Sequence, residues 1–104
     1  MELNWFTTKF ALAGIAVDQA DKAEKDLVDE LTARPHLRNI QVFWDAKLSQ
    51  MVVYVDSAGL TIEHTSRGML EEMKELISAI FERPSKIHIE LLEAYATPSS
   101  HSLS

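Results

Sequence analysis

The strongest constraint on this chain is a change of hydrophobic period that happens twice in the same order. Apolar residues first alternate, then recur every three or four positions, then alternate again. Phe6, Thr8, Phe10 and Leu12 share one parity within the run from Trp5 to Val17, which predicts a strand. Gly14 within that run marks a bulge or a point where another backbone comes close.

A helix is expected to begin at Asp18 or Asp21. Ala20, Ala23, Leu27, Val28 and Leu31 form its apolar stripe, and Asp21 to Glu24 resembles a capping box with Asp in place of Ser or Thr. Pro35 closes this helix. Ile40, Val42 and Trp44 then alternate with Gln41, Phe43 and Asp45. After a turn over Asp45 to Gln50, Met51, Val53 and Val55 alternate with Val52, Tyr54 and Asp56. That pair reads as a hairpin, ended or bent by the segment from Asp56 to Gly59.

The segment Leu60 to Thr65 fits either a strand extension or a loop. From Thr65 or Ser66 a second helix carries Met69, Leu70, Met73, Leu76, Ile77, Ile80 and Phe81 inward, with Arg83 in its last turn and Pro84 as its stop. A final strand spans Lys86 to Ala96, and residues 97–104 form a polar tail outside a single domain of residues 1–96.

Two β-α-β halves joined by a hairpin predict an α+β, ferredoxin-like split β-α-β-β-α-β fold. It has a four-stranded antiparallel sheet with both helices on one face. The 104 residues suit one domain. In the simplest register, Phe10, Leu12, Ile40, Val42, Trp44, Val53, Val55, Ile87, Ile89 and Leu91 face the helices. Thr7, Lys9, Ala11, Phe43, Val52, Tyr54, His88, Glu90 and Leu92 face away.

That second set is too apolar for a wet face, since an exposed antiparallel sheet normally keeps its free side polar. Phe43, Val52, Tyr54 and Leu92 predict a patch on the order of several hundred Å², of the size that marks interfaces. The expected cover is a second copy of the chain, making a homodimer. The tail or the Leu60 to Thr65 segment is the other cover.

Composition narrows the function. The absence of cysteine excludes disulfides, thiolate metal sites and thiol nucleophiles, and favours a cytoplasmic home. A net charge of −6 disfavours nucleic acid and anionic membranes. The amino terminus lacks the pattern of a signal peptide, and no apolar run is long enough to span a bilayer. No Walker A, G-x-S-x-G, H-E-x-x-H or EF-hand motif is present, so no cofactor or metal is indicated, nor is a particular small-molecule ligand. An RNA-binding sheet needs basic neighbours, whereas Tyr54 and Phe43 stand near Asp56 and Asp45.

Among the histidines, His36 and His101 fall in a connection and in the tail, where no role is expected. His64 lies near a helix start and suits a capping or surface role. His88 shares a strand face with Glu90 and could serve as an oriented base or half of a metal site. A plain ion pair with Lys9 on the neighbouring strand is the simpler reading. The methionines Met69 and Met73 are core, and Trp5, Trp44 and Tyr54 are packing anchors.

These residues favour a non-enzymatic binding or assembly module that self-associates or docks through the open sheet face. The alternative is a small dimeric α+β barrel enzyme. Its pocket would lie between that face and the second helix, using His88, Glu90, Tyr54 and His64. A ligand-sensing domain at a dimer interface has no glycine-rich loop behind it.

Overall fold

The computed structural model describes residues 3–98. Strand β1 is Asn4–Ala13, helix α1 Ala20–Thr32, β2 Leu37–Asp45, β3 Gln50–Gly59, α2 Ile62–Ile80 and β4 His88–Ala96. Short 3-10 turns at Val17–Gln19 and Pro84–Lys86 precede α1 and β4. The four strands form one antiparallel sheet in the order β2-β3-β1-β4. The element order and the two-layer α+β class are those the periodicity predicts.

The core lies between the helices and one sheet face. Phe10, Leu12, Met51, Val53 and Val55 from the sheet meet Ala23, Leu27 and Leu31 of α1 and Met69, Met73, Leu76 and Ile77 of α2. Each large side chain buried there contributes about 1.5–3 kcal/mol relative to exposure. Ile40, Val42, Trp44, Ile87, Ile89 and Leu91 pack around the margin. The expected inward set is therefore the observed one. Val28 is a correction: it is more than one third exposed, because the α1 stripe runs through Ala20, Ala23, Leu27 and Leu31.

Several boundaries also differ from expectation. β1 stops at Ala13 rather than Val17, because Gly14 turns the chain with φ +97°. A side chain at Gly14 would run into the backbone carbonyl of Lys86, so the close approach expected of this glycine is real. α1 begins at Ala20 with no side-chain cap from Gln19, so the Asp21 to Glu24 capping box is not formed.

The chain from Asp56 to Gly59 does not bend away. It continues β3 and pairs with Thr7 to Asn4. The ambiguous Leu60 to Thr65 segment is the start of α2, capped by Thr61, whose Oγ1 accepts from the His64 backbone N–H at 3.2 Å. α2 thus begins earlier than Thr65. It ends at Ile80, leaving Arg83 beyond its last turn. Thr65 packs against Gly59, where an added Cβ would collide with its hydroxyl, and so this segment is not a cover for the open sheet face.

Both edge strands are bulged. Arg38 pairs with Asp56 and Gln41 with Tyr54, so Asn39 and Ile40 together stand opposite Val55. Lys9 pairs with Glu93 and Phe10 with Leu91, which leaves Leu92 without a partner. Asn39 takes a left-handed φ of 54°, a conformation that asparagine tolerates better than most residues. In the hairpin turn, the Asp45 carboxylate accepts from the backbone N–H groups of Lys47 and Leu48 at 3.0 and 3.3 Å. Ser49 supplies the left-handed residue there, with φ 51°.

Candidate functional site

The sheet face turned away from the helices is built from cross-strand rows. From β2 to β4, one row is Phe43, Val52, Ala11 and Glu90. The next is Gln41, Tyr54, Lys9 and Glu93, and the next Arg38, Asp56, Thr7 and Tyr95. Asp45, Gln50, Ala13 and His88 make the row on the other side of Phe43. Paired residues share a face, so Phe43, Val52 and Tyr54 lie opposite the core, as the alternation predicts.

The apolar part of this face has a floor and a rim. Val52 and Ala11 are both only 3% exposed and form the floor. Phe43 is 42% exposed and stacks with half-buried Tyr54, ring centroids 6.2 Å apart. Leu92, at the β4 bulge, is 40% exposed. Of the four expected contact residues, Val52 is thus already covered by its neighbours, and Phe43 and Leu92 present the free surface.

Lys9 sits beside Tyr54, its Nζ 5.4 Å from the ring centroid and 3.8 Å from Glu93 Oε2. A polar contact with the Tyr54 side chain, more than the charge of Glu93, holds the Lys9 ammonium above the ordinary lysine range. The ion pair expected between Lys9 and the His88–Glu90 strand therefore goes to Glu93. The Leu92 bulge shifts the register by one residue and moves Glu90 to the row of Ala11.

A polar chain crosses the other half of the face. Thr7 Oγ1 donates to Asp56 Oδ1 at 2.6 Å, and Asn39 Nδ2 donates to Asp56 Oδ2 at 2.8 Å. The Thr7 and Thr97 hydroxyls are 2.8 Å apart, and the Thr97 N–H donates to the Trp5 carbonyl at 2.9 Å. Asp56 is only 4% exposed despite lying opposite the helices. Asp56, expected at a strand end, and Thr97, expected in the tail, are both tied into the sheet. Beside this chain the Arg38 guanidinium lies over the Trp5 ring, 3.4 Å from its centroid.

The four candidate catalytic residues are not assembled. His88 and Glu90 occupy neighbouring rows on β4, both exposed. Tyr54 stands two strands and two rows from His88, roughly 17 Å by strand spacing and rise. His64 lies near the Gly59 end of the sheet, whereas His88 pairs with Ala13 at the other end. Their separation along the strands is roughly 30 Å.

His36, expected to be idle, bonds through Nε2 to Glu72 at 2.8 Å, and Arg34 Nε holds the same carboxylate at 3.1 Å. This pairing ties the link between α1 and β2 to α2. His101 lies outside the described residues.

Among the described residues no group of three or more His, Asp or Glu side chains is placed to hold a metal. No described helix is long and apolar enough to cross a membrane. Among the described residues a groove of about 500 Å³ touches His88, together with Lys74, Ser78 and Ser85, and touches none of the other three candidates. Compared with protein-family models, curated proteins and solved structures, the chain matches none.

Proposed function

We propose that this chain is a non-enzymatic assembly module that joins a second copy of itself through the sheet face opposite its helices. The observation that carries this is the stacked Phe43–Tyr54 pair over a Val52–Ala11 floor, with Phe43 and Leu92 still about two fifths exposed. Aromatic side chains on a dry floor are the usual anchors of protein contacts. A ferredoxin-like frame is part of the proposal. In that arrangement each β-α-β unit receives a strand of the other unit between its two strands, and the order β2-β3-β1-β4 supports it.

Two features favour the face over the edges. β2 and β4 both carry bulges, which discourage edge-to-edge pairing, and Glu90 and Glu93 add charge to β4. Strand spacing and rise give the face roughly 19 by 30 Å. That footprint, on the order of 600 Å², approaches the ~800 Å² per partner of ordinary stable complexes.

The charges suggest an orientation. A two-fold axis along the strands lays the β2 edge of each copy over the β4 edge of the other. Such an axis keeps height along the strands, so Phe43 lies over the Glu90–Leu92 stretch of the other copy and Arg38 over its Tyr95, one row from Glu93. The cysteine-free sequence supports a cytoplasmic setting.

Light scattering at micromolar concentrations tests the proposal. The expected mass is that of a dimer, and Phe43→Asp combined with Tyr54→Asp returns it to a monomer with unchanged circular dichroism. A wild-type monomer across that range overturns it.

A further inference from the structure

At the end of the helical layer, away from the open sheet face, a half-open groove of about 490 Å³ lies where α1 begins, α2 ends and the turn before β4 passes. Its volume falls within the range of small-molecule sites. Ile15, Ala23, Phe81 and Ile87 give it an apolar lining, and Lys22, Arg83 and Lys86 bring three cations to it. Asp26 and Glu82 are the carboxylates there, so three cations against two carboxylates leave one net positive charge in a chain of −6.

The cations are not equivalent. Lys22 is bound to Asp26 at 2.8 Å. Arg83 and Lys86 have no ion-pair partner among the described residues. They bracket one 3-10 turn, closed by the Lys86 N–H donating to the Arg83 carbonyl at 3.1 Å. Gly14, also at the groove, lets the end of β1 press against the Lys86 carbonyl, which fixes this wall. The amino end of α1 and the carboxyl end of α2 both open onto the groove, so their helix poles oppose each other and the positive field there comes from the Arg83 and Lys86 side chains.

We infer that this groove binds a small organic anion, one phosphate or carboxylate head on a compact apolar body, with Arg83 and Lys86 on the head and Ile15, Phe81 and Ile87 around the body. An anionic head alone leaves the apolar wall unused, and an apolar body alone leaves the two cations without a partner.

The test is an amide NMR titration of the full chain with phenyl phosphate, with inorganic phosphate and benzyl alcohol as the two halves of the probe. Saturable shifts are expected at Gln19, Lys22, Ala23, Phe81 and Lys86, with affinity in about the millimolar range for so small a probe. Each half alone should bind about tenfold more weakly. Arg83→Gln with Lys86→Gln should weaken phenyl phosphate by about tenfold while the spectrum stays dispersed.

If the cations serve only the carboxyl end of α2, that double variant lowers thermal stability and leaves the titration unchanged, which overturns the inference. Shifts spread over unrelated lysines, or benzyl alcohol binding as well as phenyl phosphate, overturn it too. The outcome is independent of the oligomeric state, because the groove and the Phe43 face lie on different layers.

Discussion

The Thr7 hydroxyl donates to Asp56 at 2.6 Å on a sheet face that no helix covers. With Asn39 on the second carboxylate oxygen and Thr97 against Thr7, this one anion links β2, β3, β1 and the residue following β4. A buried carboxylate that loses a donor keeps its desolvation cost without the compensation. Thr7→Val is isosteric and should destabilise the fold by about 1.5–3 kcal/mol, the range for hydrogen bonds to charged groups. Urea denaturation measures it. A loss below about 0.5 kcal/mol would show that the chain is ornamental to stability.

Two glycines should respond in opposite directions. Gly14 has φ +97° and faces the Lys86 carbonyl, so Gly14→Ala combines backbone strain with a collision against main chain. A loss of at least about 2 kcal/mol is expected. Gly68 lies inside α2 with nothing near the position of an added Cβ. Gly68→Ala should raise stability by about 0.5–1 kcal/mol through helix propensity alone. Thermal denaturation of the two variants compares them directly.

Which side of each strand faces the helices was legible, because Phe10, Leu12, Val53 and Val55 keep strict alternation and only one face of the sheet meets the helices. The bulges were not legible. An extra residue such as Leu92 changes no composition, yet it puts Glu93 where Leu92 would otherwise stand opposite Lys9. Asn39 was the one available hint, as a residue that tolerates φ above zero.

The start of α2 was missed because Thr61 has His64 rather than Glu or Gln three residues later, so the capping box is incomplete although the cap itself forms. Asp56 was missed because an Asp before Ser57 and Gly59 reads as a turn. Only the pairing of Thr7 with Asp56 across strands distant in sequence reveals its role. The groove at Arg83 draws on two segments far apart in sequence, 14–26 and 80–87, so no local pattern could announce it.

The raised Lys9 value has a checkable origin. Its first cause is the contact with the Tyr54 side chain, and Glu93 adds less. Tyr54→Phe should therefore lower the Lys9 titration midpoint toward the ordinary 10.5, and Glu93→Gln should lower it less. Carbon-detected NMR of the Lys9 side chain reads both. For stability the sign is fixed by the folded ammonium holding its proton more tightly than the unfolded one. The contribution is fully present below pH 10.5 and is lost as pH rises through the higher folded value. No pH dependence from Lys9 is therefore expected near neutral pH. A Tyr54→Phe variant with an unchanged midpoint would place the cause elsewhere.

The absence of cysteine makes the proposed dimer geometry directly testable. Phe43 and Leu92 lie on opposite edge strands of the same face, so within one chain they cannot touch. An axis along the strands brings Phe43 of one copy over the Glu90–Leu92 stretch of the other, whereas an axis across the strands brings each residue toward the edge strand that already carries it. Chains bearing Phe43→Cys and chains bearing Leu92→Cys are mixed and treated with a short bismaleimide, because sheets stacked face to face stand about 10 Å apart, beyond the ~7 Å between Cα atoms that a disulfide spans. The first geometry predicts cross-linked mixed pairs in clear excess over linked chains of either single type. The second predicts the reverse, with each variant joining to itself. Linkage no faster in the mixture than for a cysteine placed at exposed Ser78 on α2 would remove the sheet face from consideration as the contact between copies.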